Sequence, residues 1–209
     1  MDIKPEDLVT NGYQLNAQME HNNIVPFIGL YLKKKTTVTI CYNLFLIGLA
    51  TILGFWIYVA MTKYGYEIST CLNYLSYGIA LSFALIPLHE FLQVKADQWQ
   101  GAKQTAYVVK LKKLYFLAVA DKFVANKMEF TKVALAPLVI ISLLGILVLF
   151  FTSIIWSVAI LGLLLTHALL SAGDISLVSY FQYYASAEVV TYDDTTLQIS
   201  YFYHKPMSV

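Results

Sequence analysis

Four ionisable side chains, with a glutamine beside two of them, stand where a mostly apolar sequence would be expected to carry none. His89, Glu90 and Gln93 fall near the end of one apolar run; His167 and Asp174 fall within the last one. Ionisable groups at membrane depth are costly, so each is a functional candidate first. Pro87-Leu88-His89-Glu90-Phe91-Leu92-Gln93 has half the pattern of a zinc-hydrolase helix. Such a helix places two histidine ligands one turn apart and a glutamate after the first, aimed at the metal-bound water. This chain supplies the first histidine and the glutamate, with Gln93 at the second ligand's place. A neutral amide is a poor zinc ligand beside imidazole or thiolate.

Four apolar runs must position these groups, at about 39–62, 72–94, 132–152 and 154–182. Each is long enough to cross roughly 30 Å of hydrocarbon as a helix. In that frame His89 lies roughly 25 Å along the second span and Asp174 roughly 30 Å along the fourth, at 1.5 Å rise per residue. Both spans run the same way, so the two residues are expected at a similar level, toward the cytoplasmic side. In an unbroken helix His167 would be about 10.5 Å along the axis from Asp174. One ion could then reach both only if the helix opened near Gly173. The plainer expectation for His167 is a hydrogen bond to a neighbouring span.

The composition agrees with a membrane protein. The chain of 209 residues is 58% hydrophobic and 13% charged, about half the charged share of an ordinary soluble domain. A net charge of +1 gives no basic field for nucleic acid. All fourteen cations are lysine, so no arginine fork for phosphate or carboxylate exists. No cleavable signal sequence is read in the polar first 23 residues. Lys33, Lys34 and Lys35 precede the first span, only Lys63 follows it, and Lys103, Lys110, Lys112, Lys113, Lys122 and Lys127 fill the second loop. The positive-inside rule then puts both termini and the loop 95–131 in the cytoplasm.

The expected architecture is an all-α integral membrane protein with four transmembrane helices, a cytoplasmic loop and a small C-terminal β-hairpin. Residues 1–38 form a polar N-terminal and interfacial segment that meets membrane lipid through 24–35. Residues 39–183 form the four-helix membrane domain, and 184–209 the hairpin tail. The hairpin is placed around Asp193-Asp194, with one or two further strands in Ala106 to Ala120. Gly48, Gly54, Gly145 and Gly162 are expected at close helix contacts, and Pro137 one turn into the third span.

His89 to Gln93, then Glu129, Ala136-Pro137, and Ser171-Ala172-Gly173-Asp174-Ile175 resemble the bacterial membrane proteins described as putative zincin peptidases. That family is similar to the site-2 type intramembrane metalloproteases, and the resemblance covers about residues 75–205. It implies zinc as cofactor, with His89 and Asp174 as ligands, Gln93 at the other ligand position, and Glu90 as general base. It also implies a bacterial inner-membrane location and a transmembrane peptide as substrate. The departure at Gln93 leaves two expectations: a membrane metallopeptidase, active or impaired at its metal, or a non-enzymatic relative that binds a partner's transmembrane segments. A transporter fits less well, since no repeats or paired broken helices are read.

Overall fold

The computed structural model describes residues 3–110 and 115–206, with the backbone alone at 108–110 and 115–116. Seven α-helices occur among the described residues. They are α1 (Ile24–Leu32), α2 (Thr37–Tyr64), α3 (Ile68–Ala84), α4 (Ile86–Gln100), α5 (Lys127–Leu149), α6 (Ile154–Leu170) and α7 (Ala172–Tyr183). Two helices, α2 and α5, are each long and apolar enough to cross a membrane. The count rises to four if the bent pairs α3–α4 and α6–α7 are each one span.

The second and fourth runs are thus not single helices. Between α3 and α4 the axis turns by 41°, and between α6 and α7 by 46°. Pro87 accounts for the first break, because its ring nitrogen cannot donate to the carbonyl four residues back. As the second residue of α4 it lies where a missing donor matters least. At the second break Ser171 Oγ bonds back to the His167 carbonyl at 3.0 Å, beside Gly173. Serine back-bonding next to glycine is a common origin of kinks.

The chain divides into two compact units. One is helical and takes residues 40–89 and 137–172. Its core joins Leu53, Val158 and Leu161, with Trp56, Ile57 and Leu75 packed on them. Helices α3 and α6 come closest at Gly78, where a Cβ would collide with the backbone carbonyl of Ala159. Gly162 against Leu75 and Gly145 against Leu164 are close contacts as expected. Gly48 and Gly54 are not: nothing lies within 4 Å of a Cβ built there. They lie on α2, whose Ile40, Leu44, Ile47, Ile52 and Phe55 are exposed, a surface compatible with lipid contact.

The other unit takes residues 1–39, 90–136 and 173–209, and it carries more β-structure than the sequence suggested. Strands β1 (Gln14–Glu20), β4 (Ala125–Asn126), β5 (Ala187–Asp194) and β6 (Ile199–Pro206) form one antiparallel sheet in the order β1-β6-β5-β4. The all-α expectation is corrected to this extent: the tail is a hairpin, but the N-terminal segment adds a strand to it. Residues 14–20 are mostly polar and exposed, an edge strand with little apolar alternation to reveal it. Strands β2 (Thr105–Lys110) and β3 (Tyr115–Ala120) make a separate hairpin, within the run read as one or two strands. Residues 111–114 of that run lie outside the described residues.

The β5–β6 turn also falls later than expected, since Asp193 and Asp194 end β5. Asp194 Oδ1 accepts from the Leu197 amide at 2.8 Å, and Gln198 takes a φ of 56° to re-enter the sheet. Helices α1 and α7 cover the sheet with an aromatic core of Tyr31, Tyr180, Phe181 and Phe202, together with Met19 and Val189. Phe27 stacks on Phe202 at 5.3 Å. Asn126 and Glu129 form a capping box at the start of α5: Asn126 Oδ1 accepts from the Glu129 amide, and Glu129 Oε2 accepts from the Asn126 amide. This start places Pro137 well inside α5 rather than in its first turn, and the division between the two units falls there.

Two stability predictions follow from these contacts. Gly78→Ala should lower the unfolding midpoint in detergent by several degrees, from overpacking of about 1–3 kcal/mol. Gly54→Ala should leave it unchanged or raise it, because alanine is favoured over glycine by up to about 1 kcal/mol in a helix. Equal effects at the two sites would show that α3 and α6 are not in backbone contact.

Asp121 Oδ1 accepts from both the amide and the hydroxyl of Thr195, at 2.9 and 2.7 Å. These bonds hold its carboxyl below the usual carboxylate range. The stabilisation is present above the unfolded value and is lost as pH falls through the folded one. Asp121→Asn should therefore lower thermal stability at pH 7, with the gap to the parent closing below about pH 4. A gap that stays constant on acidification would remove the carboxylate from this turn.

Candidate active site

Helix α4 carries His89, Glu90 and Gln93, all buried. It does so because the helix restarts at Ile86 after the proline break, which puts His89 and Gln93 one turn apart on one face.

In the helical unit His89 meets α6. His89 Nδ1 and His167 Nε2 are 3.1 Å apart, and the ring centroids 5.2 Å. One nitrogen donates and the other accepts. This pair is the partner that the sequence left open for His167. The helix ends at Leu170, so His167 and Asp174 are on different helices rather than on one continuous one.

In the other unit Gln93 meets α7. Its Nε2 donates to Asp174 Oδ1 at 2.7 Å. Asp174 is in the first turn of α7, where the helix dipole favours a carboxylate. Glu90 Oε2 accepts the backbone amide of Ala118 on β3 at 2.5 Å, which ties the proposed base to a strand. No group of three or more His, Cys, Asp or Glu side chains among the described residues is placed to hold a metal ion.

A cavity of about 60 Å³ opens beside the Gln93–Asp174 pair. Its polar lining includes Gln93, Asp97, Asp174, Thr191, Asp193 and Ser200, and Phe130 and Phe202 are among its apolar walls. Sequence reasoning missed Asp97. The signal was present, because His89, Gln93 and Asp97 recur at intervals of four along α4.

It also missed a buried His21–Ser200–Asp193 cluster. Ser200 Oγ donates to Asp193 Oδ1 at 2.5 Å and lies 3.1 Å from His21 Nε2. The residue types are those of a hydrolase triad, but the order is not. The serine proton is committed to the aspartate, so Nε2 must donate to Oγ and cannot act as its base. Asp193 approaches that same Nε2, at 3.7 Å, whereas a triad aspartate orients the histidine through Nδ1. The cluster fastens the short Glu20–Asn23 connection to the sheet.

Comparison with known proteins bears on the helices that carry these pairs. The model of a family described as "Putative zincin peptidase" matches residues 82–187, just over half of the 209-residue chain. No curated protein and no solved structure matches. The matched stretch contains His89, Glu90, Gln93, His167 and Asp174, and by its extent the chain belongs to the putative zincin peptidase family.

Proposed function

We propose that this chain is a membrane-embedded relative of site-2-like metallopeptidases whose hydrolysis is impaired at its metal centre and which retains the binding of peptide segments. The observation that carries this reading is the 2.7 Å bond from the Gln93 carboxamide to Asp174. Zincins hold their catalytic metal with three protein ligands and keep a fourth position open. The described residues offer no such trio of acidic, thiol or imidazole side chains, and Gln93 is the reason on α4. Its amide nitrogen can only donate, and it gives a proton to the oxygen that a metal would take. These residues therefore do not fit a tightly held zinc.

What the chain's own groups can do is bind. Glu90, anchored on the Ala118 amide, and the Gln93–Asp174 pair are hydrogen-bonding groups, the pair beside a cavity with both polar and apolar walls. An extended peptide brings unpaired backbone donors and acceptors that such groups satisfy. The apolar surfaces of α2 and α5 suit a bilayer, and the occupant would be a transmembrane segment of a substrate or partner. The lysine distribution supports a cytoplasmic side for the termini.

One observation favours a second reading, an active peptidase. The 3.1 Å between His89 Nδ1 and His167 Nε2 is close to the roughly 3.3 Å that two imidazole nitrogens keep on one tetrahedral zinc with bonds of about 2.0–2.1 Å. Metal analysis of the purified chain separates the two. After dialysis against metal-free buffer the parent should hold well under one zinc per chain, and Gln93→His should raise that content several-fold. Stoichiometric zinc in the parent, lost in His167→Ala, would establish the second reading and end the first.

A further inference from the structure

The cavity beside the Gln93–Asp174 pair is acidic without a matching base. Three carboxylates line it, from Asp97, Asp174 and Asp193, and no lysine or histidine among the described residues does. Two of them have partners. Asp174 accepts from Gln93, and Asp193 accepts from Ser200 through Oδ1. Asp97 differs. It is only 8% exposed, it faces the cavity, and no side chain or backbone group among the described residues hydrogen-bonds its carboxyl. A buried acid without a partner is among the more costly features a fold can carry.

The space suits one small cation. A water needs roughly 10–15 Å³ of such volume, so about 60 Å³ admits an ammonium head with one or two methylenes. A coordinated divalent ion fits poorly. It would want six or more oxygens at about 2.0–2.6 Å, and no trio of acidic or imidazole side chains among the described residues is close enough to share an ion. An ammonium makes three hydrogen bonds at the longer distance of about 2.8 Å. Asp97, Asp193 Oδ2 and the Thr191 hydroxyl are acceptors for it. The apolar walls from Phe130, Leu177 and Phe202 would take the attached methylenes.

We propose that this cavity is a subsite for a protonated primary amine, received by Asp97. Only the source of the amine, a lysine side chain or the first residue of a bound peptide, rests on the peptide-binding function proposed above.

The test uses the full chain in detergent and two independent probes. The first is n-butylammonium chloride, against equal sodium, magnesium and calcium chloride. It should raise the unfolding midpoint of the parent by several degrees, with no rise in Asp97→Asn and a reduced one in Asp193→Asn. No rise in the parent, an equal rise in Asp97→Asn, or an equal rise with magnesium or calcium would overturn the subsite.

The second probe is a set of fluorescent decapeptides followed by anisotropy. One is N-acetylated with a central lysine, one is N-acetylated with norleucine there, and one has norleucine with a free amino terminus. A peptide with an amine should bind the parent at least tenfold more tightly than the acetylated norleucine peptide, and Asp97→Asn should erase the difference. The preferred amine-bearing peptide identifies the source. Equal binding of all three would overturn the subsite while leaving peptide binding intact. A butylammonium response with no peptide bound would retain the subsite and end the peptide-binding reading.

Discussion

A polar group buried among apolar helices must find a partner or be removed, and the candidate site is arranged by that constraint. An unpaired buried polar group forfeits about 1–3 kcal/mol, a large part of a domain's net stability. Three of the four buried polar side chains on α4 are accordingly paired. His89 bonds to His167, Gln93 to Asp174, and Glu90 to the amide of Ala118. The breaks at Pro87 and Ser171 belong to the same arrangement, since each begins a new helix just before the residues that need aiming.

Within that constraint Gln93 has a specific consequence. An imidazole at this position would offer a lone pair, and a carboxylate opposite would then share a cation with it. The carboxamide offers N–H groups instead, and one of them bonds to the Asp174 carboxylate. Asp97, one turn further along α4, received no such compensation from the protein and still faces open space.

The parts of this structure that were legible in the sequence are those set by composition and periodicity. Apolar runs gave the helices because α2 and α5 have few alternatives to being helical. The bends were less legible, although Pro87 and the Ser171-Ala172-Gly173 stretch were visible, because a proline early in a helix and a glycine within one are often tolerated. Strand β1 escaped notice for a physical reason: its pairing with β6 is by backbone, and Gln14, Asn16, Gln18 and Glu20 give no apolar alternation. The pairing of His167 was also illegible, since it depends on which helix lies opposite. The level of Asp174 could be read from span depth, but its bond to Gln93 could not, because residues 81 apart share no spacing rule.

The family match and the cavity divide the chain differently, and that difference bears on specificity. Residues 82–187 contain Gln93, Asp97 and Asp174, so one wall of the cavity belongs to the shared scaffold. Most other lining residues are in that stretch too, but Met19, Thr191, Asp193, Ser200 and Phe202 lie outside it. They come from β1, β5 and β6, which close over the helix ends through antiparallel pairing. A scaffold built to expose a polar helix face can be given different selectivities by the sheet that covers it. Here the sheet contributes a second carboxylate and a hydroxyl beside the unpaired Asp97, so a protonated amine satisfies in one ligand what the fold leaves unmet.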